Sequence, residues 1–258
     1  MSTTAPPELD LRRLEEVGLN ALQTQRQLFY DGWLLRISPG KAKRARSVNA
    51  YFGSTLPLER KIAHCESLYS ARGLPVLFRI TPFVQPVDLD AVLAAKGYEA
   101  HETTLVQVLR LAQSPNAILL PEVEVTTPSP DVFADAVAML QHATPAQRAA
   151  YYERLVDSPL NTRALLARCE GETVGVGTVM LDDGLAGIFS MATAPKLRRR
   201  GVATALLGRL LAWAWDHGAT HAYLQVDGDN QRALAVYRRF GFATAYTYHY
   251  RARPGDFS

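Results

Sequence analysis

Residues 195–242 constrain the fold of this chain more than any other stretch. They begin with the basic run Pro-Lys-Leu-Arg-Arg-Arg-Gly-Val-Ala-Thr, which passes directly into an apolar segment. Gly201 allows a tight turn and a close approach of the backbone to a ligand. A helix that starts behind Gly201 would point its unpaired N–H groups and its positive dipole end at that ligand. The sequence therefore predicts a phosphate-binding turn, with charge supplied by Arg198, Arg199 and Arg200.

The end of the same stretch predicts a second helix. Asn230, Ala233 and Tyr237 lie at i, i+3 and i+7, so they share one face of that helix, which a Gly-Phe pair follows. Strands are expected at 186–191 and 222–226, on either side of the first helix. A strand–helix–strand passage predicts parallel strands joined by a right-handed crossover. The basic turn then lies at the carboxyl ends of the strands, where ligands bind.

The two segments together resemble the acetyl-coenzyme A signature of the GCN5-related N-acetyltransferases (GNAT). The loop of that family reads Gln/Arg-x-x-Gly-x-Gly/Ala, which residues 198–203 match. Its later signature, Asn-x-x-Ala-x-x-x-Tyr-x-x-x-Gly-Phe, is matched by residues 230–242. The resemblance implies an N-acetyltransferase that uses acetyl-CoA as cosubstrate and no metal.

The resemblance also implies which residues bind the cofactor. In the family, backbone groups of the strand before the loop bind the pantetheine arm and polarise the thioester carbonyl, a role that falls here to Met191, Ala192 and Thr193. The expected cofactor-binding residues are Met191, Ala192, Thr193, Arg198, Arg199, Arg200, Gly201, Val202, Ala203, Thr204, Asn230 and Tyr237. Asn230 is equally suited to capping its helix, and the two roles are compatible.

Tyr237 is the expected catalytic residue. An amine that attacks a thioester releases a thiolate, which needs a proton. The reference pKa values of a thiol (about 8.5) and of tyrosine (about 10) make proton delivery from the phenol feasible when a helix end or a cation helps. The alternative is a tyrosine packed on its helix with the hydroxyl capped.

The sequence identifies no general base. Many relatives place a glutamate on the strand before the loop, but this strand reads Gly-Ile-Phe-Ser-Met and has no carboxylate. Asp227, Glu172 and His249 are the candidates elsewhere, and a structural role is expected for each. Proton removal through ordered water, or binding of a neutral amine, fits equally well.

Secondary-structure signals divide the chain into two related halves. Residues 113–121 are interpreted as a linker, because a Ser-Pro pair breaks the preceding strand pattern. Residues 1–112 are then a degenerate GNAT-like domain, and residues 122–258 the catalytic domain. The expected fold class is mixed α/β (α+β), with two acyl-CoA N-acyltransferase-like domains, each a mixed, mostly antiparallel sheet flanked by helices. Predicted helices cover residues 58–71, 88–96, 130–142, 145–156, 202–217 and 230–240; predicted strands cover 76–80, 103–109, 123–126, 163–169, 174–181, 186–191, 222–226 and 244–251.

The degenerate half follows from an internal repeat. Gly73 and Gly97 punctuate the first half as Gly218 and Gly241 punctuate the second, at nearly the same separation. At the offsets of Gly201, Asn230 and Tyr237, however, the first half has the residues Leu56, Pro86 and Leu93. The first half therefore lacks the phosphate loop, the asparagine and the tyrosine.

Composition limits the partners. The 258 residues are 48% hydrophobic and 21% charged with a net charge of +3, as in ordinary globular proteins, and the basic runs are too short to indicate nucleic acid. No apolar run reaches the length of a membrane span, and no signal peptide is recognisable, so a cytoplasmic protein is expected. Cys65 and Cys169 are expected to be reduced, and His217 and His221 not to form a metal site.

The acceptor stays open. A small-molecule amine is expected, a peptide or protein amine is the alternative, and a non-catalytic acyl-CoA sensor is a second alternative; the chain is expected to be a monomer or a homodimer. Direct transfer in a ternary complex is favoured, since neither motif contains a nucleophile. The alternation in Lys-Ala-Lys-Arg-Ala-Arg, residues 41–46, predicts the exposed face of a hairpin, which could line a substrate entrance.

Overall fold

The computed structural model describes residues 9–115 and 120–257, and within them the chain forms seven α-helices and one eleven-stranded sheet. The helices are α1 (Leu11–Asn20), α2 (Leu58–Ser70), α3 (Leu89–Ala95), α4 (Pro130–Gln141), α5 (Pro145–Val156), α6 (Val202–Asp216) and α7 (Gln231–Arg239). The strands are β1 (Gln27–Tyr30), β2 (Trp33–Arg36), β3 (Val48–Asn49), β4 (Phe78–Ile80), β5 (Glu99–Arg110), β6 (Glu124–Thr126), β7 (Asn161–Cys169), β8 (Glu172–Asp182), β9 (Leu185–Thr193), β10 (His221–Asp227) and β11 (Ala243–Ala252).

The order of the strands interleaves the two halves of the chain. It runs β1-β2-β3-β4-β11-β5-β10-β9-β8-β7-β6. The last strand of the chain, β11, lies between β4 and β5, and β5 in turn lies between β11 and β10, with all three contacts antiparallel. Each half of the sheet thus contains one strand from the other half of the chain. The division at residues 113–121 stays a prediction, and residues 116–119 of that linker lie outside the described part.

Two parallel pairs repeat the same plan. β9 and β10 are parallel and joined by α6, as predicted, and β3 and β4 are parallel and joined by α2. The four glycines that punctuate the sequence each follow a helix with a positive φ: Gly73 (64°), Gly97 (82°), Gly218 (85°) and Gly241 (91°). Only glycine adopts this left-handed conformation at little cost, so the helix ends explain the spacing of the repeat.

Helices cover both faces of the sheet. Ala222 and Leu224 of β10 pack into the core around α6, whereas Tyr223 between them packs against α1. Because neighbouring side chains of a strand point to opposite faces, α1 and α6 lie on opposite sides. By the same alternation, α4 and α5 lie on the side of α1, and α2, α3 and α7 on the side of α6. The apolar stripe of α6 is wide because that helix is almost fully buried, as the sequence predicts.

A buried ion pair fixes α1 over the central strands. The Glu15 carboxylate accepts hydrogen bonds from the Arg79 guanidinium and from the Tyr246 hydroxyl, the latter at 2.6 Å. Both charged side chains are almost completely buried. Breaking such a pair by removing one partner typically costs about 3–5 kcal/mol, because the other charge is left uncompensated.

The expected exposed hairpin at residues 41–46 is wrong. Lys43–Ala45 form a short 3₁₀ turn in the connection between β2 and β3. Ala45 is fully buried, while Lys43 reaches Glu102 with an N–O distance of 2.6 Å. The alternation of basic residues with alanine therefore reflects one turn with a buried alanine rather than strand periodicity. None of the helices in the described ranges is long and apolar enough to cross a membrane.

Candidate functional site

A gap opens in the sheet where β9 and β10 separate. The two strands pair from Leu185 opposite His221 to Ile188 opposite Leu224, and no further. Beyond that point β9 continues against β8, and β10 continues against β5. The backbone of residues 189–193 therefore has an edge that faces the gap, at the carboxyl ends of two parallel strands, where ligands of open α/β sheets bind.

A bulge in β9 marks the start of this gap. The register with β8 shifts between Phe189 and Ala192, and Ser190 adopts a φ of +56°. Such a bulge re-aims the backbone and leaves it locally unpaired. Met191, just beyond Ser190, is accommodated by Gly177 of β8, where a Cβ would lie 2.5 Å from the Met191 sulfur. The three expected pantetheine-binding residues, Met191, Ala192 and Thr193, thus lie beside the gap.

The basic loop forms a helix N-terminus, as predicted. Gly201 has a φ of +86° and precedes α6, whose first backbone bond joins the Ala205 N–H to the Gly201 carbonyl at 2.9 Å. The N–H groups of Val202, Ala203 and Thr204 come before that bond and lie outside the helical ladder. These groups and the dipole end of α6 form an anion-binding arrangement.

The three loop arginines are exposed. Arg200 lies 3.8 Å from Glu122, and this exposed pair contributes little to stability. Arg198 and Arg199 have no ion pair within the described residues. The loop therefore offers positive charge that no carboxylate in the described part of the chain neutralises closely.

Asn230 caps α7. Its side-chain oxygen accepts a hydrogen bond from the Ala233 N–H at 3.1 Å. This is one of the two roles that its sequence position allows; contact with a cofactor stays a prediction.

Tyr237 is buried in the core beside Phe242, with 9% of its surface exposed. Among the described residues no hydrogen-bond partner meets its hydroxyl, which argues against the capped-hydroxyl alternative. Burial raises the pKa of Tyr237 to about 12, so the phenol stays protonated across the neutral range.

The three candidate bases have structural partners. Asp227 accepts a hydrogen bond from the Asp229 N–H at 2.9 Å, Glu172 pairs with Lys196, and His249 lies 3.0 Å from Asp90. His217 and His221 contact the Trp213 carbonyl and the Thr220 hydroxyl, respectively. Within residues 9–115 and 120–257, no three His, Cys, Asp or Glu side chains form a group suited to a metal ion.

A cavity of about 280 Å³ lies on the opposite face of β9 from α6. Its lining includes Phe189 and Ser190 of the bulge, Tyr151 and Arg154 of α5, and Arg44 of the 3₁₀ turn. The Tyr151 and Ser190 hydroxyls are 2.8 Å apart. Sequence analysis did not identify Tyr151, Arg154, Phe189 or Ser190 as site residues. The available signal was the i, i+3 spacing of Tyr151 and Arg154, which places both on one face of α5.

Comparisons with known proteins agree with this geometry. A family model described as "Probable histone acetyltransferase Rv0428c C-terminal" matches residues 9–251. The chain belongs to this family. It is a GNAT-type N-acetyltransferase, as the resemblance implied, and thus an acyltransferase enzyme.

Relatives in sequence and structure support the same assignment. The chain is 29% identical over 252 residues to the uncharacterized N-acetyltransferase YobR of Bacillus subtilis (strain 168), covering 95% of this chain and 99% of that protein. Among solved structures, a GCN5-related N-acetyltransferase from Kribbella flavida has a TM-score of 0.69 at 16% identity and covers 95% of both chains. A tandem GNAT protein from the clavulanic acid biosynthesis pathway has a TM-score of 0.61 at 19% identity, covering 75% of this chain and 68% of that one. The GNAT acyltransferase fold, with its mixed sheet flanked by helices, is thereby confirmed.

Proposed function

We propose that this GNAT acetyltransferase transfers the acetyl group of acetyl-CoA to a primary amine by direct attack in a ternary complex. One observation carries the proposal: the α6 N-terminus and its arginine loop directly follow β9, whose unpaired edge faces the gap. A pyrophosphate at Gly201 and a pantetheine arm along residues 191–193 would be bound by consecutive segments of one chain.

Direct attack is supported by the state of the two cysteines. Cys65 is buried in the first half, where burial raises the pKa of its thiol to about 12. A thiol with such a pKa is not a nucleophile near neutral pH. Cys169 lies at the end of β7, where it lines a pocket with Arg200 and Val202 at the phosphate-binding end of the site, not with the bulge in β9. The neutral amine nitrogen then attacks the thioester carbon itself, the carbon–sulfur bond breaks to release the CoA thiolate, and the proton lost by the new amide nitrogen passes to water.

In our proposal Tyr237 acts on that thiolate as hydrogen-bond donor and general acid. Its buried phenol is protonated at neutral pH, and the hydroxyl has no competing partner within the described residues. Transfer from a phenol of pKa about 12 to a thiolate of reference pKa about 8.5 is uphill. We therefore expect a hydrogen bond from Tyr237 to the developing thiolate to do most of the stabilisation.

Two alternatives to this function have a specific basis in the family description or in the loop. The description of the matching family model names a histone acetyltransferase, which would correspond to a protein lysine as acceptor. A non-catalytic acyl-CoA sensor would use the same loop without turnover. The cavity beside Ser190 favours a small-molecule amine over a protein lysine, because 280 Å³ is at the lower end of ligand-pocket volumes.

Replacing Tyr237 with phenylalanine tests the enzyme against the sensor. Tyr237→Phe should lower kcat by roughly 100-fold, as expected for loss of a general acid, while the acetyl-CoA dissociation constant stays within about twofold. The measurements are a thiol-release assay with a panel of amines and a calorimetric titration with acetyl-CoA. The titration should give one site per chain.

Tyr98→Phe is the matched control, because its hydroxyl bonds Glu66 in the first half, remote from the gap. It should leave kcat unchanged. An acid loses activity as pH rises through its pKa, and a pKa of about 12 predicts no such loss between pH 7 and 10. A wild-type descending limb in that range that Tyr237→Phe removes would contradict the raised pKa. Unchanged kcat in Tyr237→Phe would exclude Tyr237 as the acid.

A further inference from the structure

Four cations, and no carboxylate among the described residues, line the cavity beside the bulge. Lys41 and Arg44 come from the first half of the chain, and Arg148 and Arg154 from α5. No Asp or Glu contributes to the lining formed by the described residues. Ser190 of β9 closes the cavity at the point where the gap begins. The cavity therefore ends at Ser190, next to the part of β9 that faces the gap.

The four cations differ in how they are compensated. Arg148 is paired with Asp131 and Asp135, and Lys41 donates to the Gln141 carbonyl. In contrast, no carboxylate of residues 9–115 or 120–257 lies within ion-pair distance of Arg44 or Arg154. The Arg44 guanidinium lies 5.8 Å from the Phe189 ring, and that of Arg154 lies 4.8 Å from the Tyr151 ring. Aromatic faces hold the two guanidinium groups without neutralising them.

Arg44 also has unused hydrogen-bonding capacity. Its Nη1 is buried and forms no hydrogen bond with any described residue. Buried polar groups are normally paired, so the protein itself does not satisfy all the donors of this guanidinium. The five N–H donors of arginine in their fork match the two oxygens of a carboxylate or a phosphate.

The neighbouring charges favour binding of an anion beside Arg44 and Arg154. Arg36 is buried nearby, and its pKa is lowered to about 10 by burial and by the charges of Arg44, Arg79 and Arg154. Burial and the charge of Arg44 also lower the pKa of Arg154. Glu15, which also acts on Arg36, already accepts hydrogen bonds from Arg79 and Tyr246. Asp131 and Asp135 offset Arg148, so Arg44 and Arg154 are the two lining cations that no described carboxylate offsets.

We propose that Arg44 and Arg154 bind an oxyanion on the acceptor, so that the substrate is a small primary amine that also carries a carboxylate or a phosphate. This inference rests on the proposed function, since it identifies the acceptor of that reaction. The Arg154–Tyr151–Ser190 contacts lead from the anion site to the bulge. A short molecule held at its acidic end by the arginines therefore presents its amine to the gap between β9 and β10.

A panel of amines of similar size tests this assignment on the full-length protein. Beside its primary amine, β-alanine carries a carboxylate, phosphoethanolamine a phosphate, ethanolamine a neutral hydroxyl and putrescine a second amine. A short lysine peptide completes the panel. We expect kcat/KM to be at least roughly tenfold higher for an anionic amine than for ethanolamine, mostly through KM. The ranking of β-alanine against phosphoethanolamine distinguishes the two oxyanions.

The variants assign the preference to residues. Arg44→Gln and Arg154→Gln should each remove most of the preference for anionic amines, and Arg44→Lys should restore part of it. Arg148→Gln is the matched control, because this arginine lines the same cavity but is already neutralised; it should keep the preference. A preference for putrescine or the peptide, or one that survives both glutamine variants, would overturn the proposal while leaving the acetyltransferase function intact.

Binding of anions that lack an amine tests the anion site independently of acetyl transfer. Propionate and methyl phosphate lack an amine and cannot be acetylated. At millimolar concentrations, at least one of them should raise the Tm of the wild type and of Arg148→Gln, but not that of Arg44→Gln or Arg154→Gln. If no amine is acetylated yet this pattern holds, the anion site stands and the proposed reaction fails. If neither anion raises the Tm in an Arg44-dependent manner, the anion site is excluded.

Discussion

The two halves differ in the turn that precedes the crossover helix, which is α6 in the second half and α2 in the first. In the second half, the turn before α6 carries Gly201 and three exposed arginines and contains no carboxylate. In the first half, the turn before α2 is filled by the carboxylate of Asp31, which accepts hydrogen bonds from the N–H groups of Thr55 and Leu56 at 3.0 and 2.9 Å. The Thr55 hydroxyl donates a third bond at 2.8 Å.

This difference supports the prediction that the first half is a degenerate copy of the second. By its distance from the following glycine, Leu56 stands where Gly201 stands in the other half, and its N–H is already bound to Asp31. These backbone hydrogen bonds hold the pKa of Asp31 well below its usual range, and Lys61 lies 3.2 Å away. An internal carboxylate therefore binds the backbone of the turn just before α2, which begins at Leu58.

The largest expected effect comes from separating the halves. Because β11 completes the sheet of the first half and β5 that of the second, residues 1–115 and 116–258 produced separately should each fail to fold. Each would expose two long unpaired strand edges. Circular dichroism with thermal melting is the measurement, and neither fragment should unfold cooperatively.

Mixing the two fragments supplies the control. Pairing of β5 with β10 and β11, and of β11 with β4, should restore both the cooperative transition and acetyl-CoA binding. Cooperative unfolding of either fragment alone would show that the halves are independent units despite the shared strands.

The phosphate loop gives the next largest effect. Gly201→Asp should weaken acetyl-CoA binding by roughly 100-fold or more, because it places a carboxylate and a strained left-handed residue at the α6 N-terminus. Gly73→Asp is the matched control, since Gly73 also has a positive φ and a Cβ there would meet nothing within 4 Å. It should lower stability to a similar extent while leaving the affinity unchanged. Equal affinities in the two variants, measured by calorimetry, would remove the distinction between the halves.

The internal carboxylate gives the smallest effect. Asp31→Asn should lower the Tm by about 2–4 °C at neutral pH without changing acetyl-CoA affinity. The folded pKa of Asp31 lies below its unfolded value of about 3.9, so its stabilisation is present above that value and disappears as pH falls below it. Melting curves of wild type and variant should therefore converge as pH falls below about 4. A difference that stays constant would show that charge is not the cause.

Much of the second half was predictable from sequence because its signals are local. The wide apolar stripe of α6, the short apolar run of β10 and the glycines after the helices each fix an element or its end. The parallel pairing of β9 and β10 then follows from the single helix between them. All the predicted helices and strands of that half are present, with ends shifted by a few residues.

The features that were missed depend on distant contacts. α1 and the first three strands were not predicted, and no local pattern indicates that β5 pairs with two strands more than 100 residues away. The cavity is likewise assembled from five separate segments: the end of α1, residues 40–44, the α4–α5 pair, β8 and β9. Arg44 belongs to the basic run that was expected to line a substrate entrance, but the 3₁₀ turn that brings it beside α5 and β9 was not predicted.

The exchange of β5 and β11 also has a consequence for synthesis on the ribosome. β5 is complete about 140 residues before β11 is, which at 5–20 residues per second corresponds to a delay of roughly 7–30 seconds. Until β10 and β11 are synthesised, both edges of β5 are without their partner strands. The sheet closes only after β11 has been synthesised, so slower translation of the second half lengthens the time for which both edges of β5 are exposed.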